Sequence, residues 1–237
     1  MSSTAHRPAA AADLARRASA EGLATALLVT IVVGSGIAAQ RLSPSDTGIQ
    51  LLENAIATGV GLAVLVVVFA PISGAHFNPV VTLVERALGK LSSRDAAVYI
   101  AGQCVGACVG TMIAHAMFAL PLITISHHNR SGGHLVFSEV IATFGLLFVI
   151  LALQRNGPAR AIPIAVGGYI AAAYWFTSST SFANPAVTLG RTLTNSFAGI
   201  RPEDALVFVL AQLLGGAVAL AAARWWMPVR APAVEAS

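Results

Sequence analysis

Charge is scarce in this sequence. Only 10% of its 237 residues are Asp, Glu, Lys or Arg, against 56% apolar residues. A soluble domain carries about 25% charged residues, so this chain has too few to cover a water-facing surface. An integral membrane protein is the direct reading. Cysteine is scarcer still: Cys104 and Cys108 are the only two, four apart in an apolar run. They share a helix face as small hydrophobes. No disulfide framework follows, and a soft-metal thiol pair is the weaker alternative, since two ligands seldom make a site. The 14 Lys and Arg residues are spread over short connections rather than clustered on one face, which argues against nucleic acid. No charged cluster, thiol–histidine pair or phosphate loop is present, so the enzyme classes fall away and no cofactor is implied. The N-terminal stretch MSSTAHRPAAAADLARRASA has no short apolar core before a small-residue cleavage site, and no removable signal peptide is expected.

Long apolar runs are what the chain does have. Six of them, at 20–40, 49–70, 95–119, 134–154, 160–178 and 202–226, reach the roughly 20 residues that a spanning helix needs. None alternates apolar with polar positions, as a membrane barrel would require. The fold class is an all-α membrane bundle. Two shorter apolar pieces follow Asn78-Pro79 and Asn184-Pro185. Asn is a preferred N-cap and Pro is favoured at the first helical position. Each piece reads as a half-helix too short to cross.

The chain also repeats itself. Asn78 and Asn184 are 106 apart; EGLAT from Glu21 matches EVIAT from Glu139; Gln103 and Gln212 are each followed three residues later by Gly. The order helix, helix, half-helix, helix occurs twice. Three crossings per half is odd, so the halves are inverted relative to one another, with broken helices in matching places. The expected organisation is an N-terminal tail at 1–19, a channel domain at 20–226 with repeats at 20–119 and 134–226, and a C-terminal tail at 227–237. With the N-terminus in the cytoplasm, ten Lys and Arg fall inside and Arg41, Arg130, Arg191 and Arg201 fall outside. The positive-inside rule thus puts both termini in the cytoplasm.

Two facing half-helices bring partial positive charge and two Asn amide donors to the midplane. Such a centre repels cations and breaks a proton wire. The irregular stretches before them, Gly74, Ala75, His76 and Phe77 in one half and Thr180, Ser181, Phe182 and Ala183 in the other, offer carbonyls as a ladder of acceptors lining the path. Donors in the middle and acceptors on each side suit a file of small uncharged polar molecules. Glu21 and Glu139, a symmetric pair of intramembrane carboxylates, have two readings. Each accepts hydrogen bonds from its own re-entrant loop, or they carry protons in a secondary transporter.

The motifs HFNPVVT (76–82) and SFANPAVT (181–188), with the inverted repeat around them over 20–226, resemble the aquaporin or major intrinsic protein family. The resemblance implies a right-handed bundle of six transmembrane helices plus two re-entrant half-helices, assembled as a homotetramer, with no cofactor or metal. The pore motifs would be Asn78-Pro79-Val80 and Asn184-Pro185-Ala186; Val80 departs from the family's alanine. Family members have an outer filter of four positions. By offset from the two Asn residues these are Thr58, Ala172, Ser181 and Val187.

Valine stands where the family usually has an arginine, and the four positions hold no arginine, aromatic or histidine. Arg191, one further turn along, reads as a loop or headgroup-facing charge, and Tyr174, Trp175 and Phe176 as an interfacial aromatic belt. Valine at this place also resembles a bacterial subgroup from arsenic-resistance gene clusters. That implies an inner-membrane channel for arsenite as neutral As(OH)3 and for methylated arsenicals. A general water and glycerol channel is the alternative. His127 and His128 read as a solvated loop, and His76 as packing beside the first re-entrant stretch.

Overall fold

The computed structural model describes residues 6–227, with side chains from Asp13 onward. Among the described residues there are eight α-helices and no strands: α1 (His6–Leu42), α2 (Thr47–Ser73), α3 (Pro79–Ala87), α4 (Ser93–Met117), α5 (Gly133–Asn156), α6 (Ile162–Phe176), α7 (Pro185–Arg191) and α8 (Pro202–Trp226). The expected all-α membrane bundle is the fold observed. Residues 6–19, expected as a tail, continue α1 as helix; all of the expected C-terminal tail but Met227 lies outside the described residues.

Five helices are each long and apolar enough to cross a membrane. The sixth run, expected over 160–178, folds differently. Its helix α6 has only 15 residues and follows a 3-10 turn at Ala159–Ala161. At about 1.5 Å per residue α6 rises about 22 Å, and the turn adds about 6 Å. The helix stops early because Thr177 is already extended, φ −107° and ψ 136°, as the chain turns into the second re-entrant stretch.

The half-helices begin where their sequences direct. Asn78 and Asn184 are both extended N-caps, and each side-chain carbonyl accepts from the backbone amide two residues on, Val80 and Ala186. Pro supplies the first helical residue in both. The inverted repeat is visible in the packing: α3 rests on α4 and α8, and α7 rests on α8 and α4. α1 crosses α4 at very close range. A Cβ on Gly106 would fall 2.1 Å from the Gly22 carbonyl oxygen, and one on Gly110 2.3 Å from that of Ala26. In the second half, a Cβ on Gly215 would fall 2.5 Å from the Val140 carbonyl oxygen. Small residues here let backbones touch.

Gly216 has a separate role. A Cβ there would fall 2.2 Å from Cγ1 of Val80, which is 2% exposed. The bulkier residue in the first Asn-Pro motif is thus accommodated by a glycine of the other repeat. Gly216→Ala is expected to destabilise the protein by about 1–3 kcal/mol through overpacking. Adding Val80→Ala should recover most of that loss. Thermal unfolding in detergent of the single and double variants checks the coupling; equal losses in both would contradict it.

Candidate pore and selectivity site

The two re-entrant stretches are strained in the same places. Ala75 and Phe77 have φ of +54° and +51°; their counterparts 106 residues on, Ser181 and Ala183, have φ of +48° and +47°. Gly74 (φ +92°) is matched by Thr180 at +60°. Left-handed backbone costs a non-glycine residue about 1–2 kcal/mol, so something must hold these turns. Glu21 and Glu139 do so. The Glu21 carboxylate accepts from the Ser73 hydroxyl (2.6 Å), the amides of His76 (3.0 Å) and Phe77 (2.7 Å), and Gln103 Nε2 (2.8 Å). The Glu139 carboxylate accepts from the Ser179 hydroxyl (2.7 Å), the amides of Phe182 and Ala183 (both 2.9 Å), and Gln212 Nε2 (2.7 Å). Gln103 and Gln212 also donate to Thr82 and Thr188 on the half-helices. Both carboxylates are wholly buried, and each has four donors around it, the condition for keeping a charge out of water.

The Asn side chains meet across the repeats. Nδ2 of Asn78 donates to the Ala183 carbonyl, and Nδ2 of Asn184 donates to the Phe77 carbonyl, both at 2.7 Å. With Oδ1 engaged at the helix N-terminus, one amide proton of each remains. Both residues line a cavity of about 230 Å³. Its wall includes Gly74, Ala75, His76 and Phe77 from the first stretch and Ser181, Phe182 and Ala183 from the second. Among the described residues, the carbonyls of Gly74, Ala75, His76, Ser181 and Phe182 receive no protein donor, so they are available to solute. Pro79, Val80, Pro185 and Ala186 do not line the cavity.

Several expected residues are placed elsewhere. Thr180 does not line the cavity; its hydroxyl lies 3.5 Å from Nη1 of Arg130. Ala172 is exposed on the outside of the bundle. The cavity face of α6 is Ile162, Val166, Ile170 and Tyr174, and at 100° per residue a position two past Ile170 points away. Tyr174 takes the place, 2% exposed, with its hydroxyl donating to Thr58 Oγ1 at 3.3 Å. The expected aromatic belt is therefore split: Trp175 and Phe176 are more than half exposed while Tyr174 faces inward. Thr58, Ser181 and Val187 do line the cavity.

Arg191 is the largest departure. Expected to face loop or headgroups, it is 1% exposed and lines the cavity. Its Nε donates to the Ala198 carbonyl, and its Cζ lies 3.3 Å from the centroid of the Phe182 ring. The signal in the sequence is its spacing: Val187 and Arg191, four apart, share one face of α7. At the inner side, His76 lines the cavity with Nδ1 3.1 Å from the Thr82 hydroxyl, and Lys90 ties Glu85 (2.9 Å) to the cavity residue Gln154 (2.7 Å). His127 and His128 are exposed. Among the described residues no cluster of three or more His, Cys, Asp or Glu is placed to hold a metal.

Residues 9–181 match the family model described as Major intrinsic protein; the matched region stops short of Asn184. The chain is 51% identical over 223 residues to Aquaglyceroporin AqpS of Rhizobium meliloti, covering 94% of this chain and 95% of that protein. It is 32% identical over 182 residues to Aquaporin-4 of Mus musculus, covering 73% of this chain and 56% of that protein. Among solved structures, the aquaglyceroporin from Plasmodium falciparum superposes with a TM-score of 0.71 at 22% identity, over 91% of this chain and 97% of that one.

Proposed function

The chain belongs to the major intrinsic protein family, and on that premise we propose that its pore passes neutral solutes larger than water: polyols such as glycerol, As(OH)3 and methylated trivalent arsenicals. It is a multi-pass membrane channel for small solutes and not an enzyme. The observation that carries the solute reading is the composition of the outer cavity wall. Val187 offers an apolar surface and Thr58, Ser181 and Tyr174 offer hydroxyls, a match for molecules that carry several hydroxyls on a compact body. Val187 leaves open the space that a long cationic side chain would fill. The relative at 51% identity is named an aquaglyceroporin, which supports glycerol-sized solutes. A methylated arsenical with hydroxyls presents the same mixture of apolar and hydrogen-bonding surface.

The Asn pair supplies the barrier to ions at the centre, and the free carbonyls supply replacement hydration on each side. Glu21 and Glu139 are assigned a structural role, because four donors each leave neither carboxylate free to exchange protons with the cavity. Assembly as a homotetramer in a bacterial inner membrane, with both termini cytoplasmic, completes the proposal; the surplus of basic residues on one side supports that orientation. Proteoliposomes loaded with each solute test it. Swelling with glycerol well above that of empty vesicles is expected, and swelling equal to theirs would sink the reading.

A further inference from the structure

We propose that Arg191 is the cation of the outer selectivity site, displaced one helical turn outward from the place held by Val187. With the Ser181 hydroxyl and the Tyr174–Thr58 pair it makes a site that rejects cations while passing neutral solutes with more than one hydroxyl. The proposal deepens the channel reading above and rests on it.

Four observations carry it. First, the side chain is held without being used up. Stacking on Phe182 and the bond from Nε to Ala198 fix the guanidinium, while neither Nη has a protein acceptor among the described residues. A guanidinium has five N–H donors, so four remain, on a residue that lines the cavity. Second, the charge makes no direct ion pair. No carboxylate of the described residues lies within 4.0 Å of it. Arg130 adds a second charge: its Cζ is 5.0 Å from the same Phe182 ring, and its guanidinium is bonded to the carbonyls of Ser179, Phe197 and Gly199.

Third, the other end of the pore is built differently. The repeat offset of 106 maps Arg191 onto Glu85 (191 − 106 = 85). Glu85 is paired with Lys90 at 2.9 Å, so the inner end carries a direct ion pair and the outer end two cations that make none, with the buried Glu139 carboxylate bonded instead to the re-entrant stretch. Fourth, Ser181 lines the same cavity, and its Oγ is buried with no hydrogen-bond partner. A buried hydroxyl left unpaired is costly unless a solute meets it. Together these give donors on one side, hydroxyls on another and the Val187 methyls between them. Because Arg191 is drawn back along α7 by about 6 Å, it contributes its charge without filling the space beside Val187.

The test uses the full chain in proteoliposomes, with glycerol swelling and Na⁺ and H⁺ leak measured for wild type, Arg191→Gln and Arg191→Lys. Arg191→Gln keeps the length and a donor but loses the charge. It is expected to raise cation leak by on the order of tenfold or more, the Boltzmann factor for a unit charge passing within about 10 Å of a guanidinium at an effective dielectric of about 20. Glycerol flux is read alongside as the control for an open pore, and Arg191→Lys should keep the leak low. A Gln variant that passes glycerol with unchanged leak overturns the proposal. If that variant does not fold, Ser181→Ala decides: a lower ratio of glycerol to water permeability supports the site, and an unchanged ratio overturns it. A wild type that passes no solute would instead refute the channel reading itself.

Discussion

Replacing Glu21 or Glu139 by glutamine is expected to destabilise the protein by about 3–5 kcal/mol, the cost of leaving buried donors without their charged acceptor. Each carboxylate takes four donors with two oxygens. A glutamine amide turns one of those acceptors into a donor, facing either a backbone amide and a Gln side chain or an amide and a Ser hydroxyl. The same donors hold Ala75, Phe77, Ser181 and Ala183 in left-handed backbone, so the strain of these turns is released when the anchor goes. For a chain of this size one kcal/mol moves Tm by about 2–4 °C, and a fall of about 6–20 °C in detergent is expected. An unchanged Tm would contradict the structural role. A proton-coupled transporter would behave otherwise, with a stable Gln variant that had lost only its coupling.

Val187→Arg is expected to abolish the passage of glycerol-sized solutes while sparing water. Val187 is 5% exposed, lines the cavity and stands four residues before Arg191 on the same face of α7. An arginine there would extend several ångströms into a cavity of about 230 Å³. In tight sites even one methylene changes discrimination by roughly 10–200-fold, so at least a tenfold fall in the ratio of glycerol to water permeability is expected. Two guanidiniums at i, i+4 also repel, which accounts for a valine at the inner position where Arg191 occupies the outer one. The ratio is read by stopped-flow light scattering. A variant with the wild-type ratio would show that the narrowest point lies elsewhere.

The parts of the pore visible in the sequence were those fixed by chain distance. Asn78 and Asn184 announce themselves because an Asn-Pro step opens a short apolar helix twice, 106 residues apart. Glu21 and Glu139 could be assigned to the two loops because the repeat pairs them. Ala172 falls outside the cavity because counting back along a helix gives depth but not rotation, and a slip of two residues moves a side chain to the opposite face. Arg191 departs from the sequence expectation because a lone charge near a helix end ordinarily seeks water. Its partners, the Phe182 ring and the Ala198 carbonyl, lie in irregular backbone whose course no local pattern reveals. The fit of Val80 to Gly216 joins different repeats and was hidden for the same reason.

The measurement that bears most directly on the channel is stopped-flow swelling of proteoliposomes carrying the wild-type chain, with water, glycerol and a methylated trivalent arsenical in turn. All three are expected to pass, with flux linear in concentration, a low activation energy and no response to an imposed proton gradient. Flux that saturates and follows the proton gradient, or passage of water alone, would contradict a passive pore with a wide outer site.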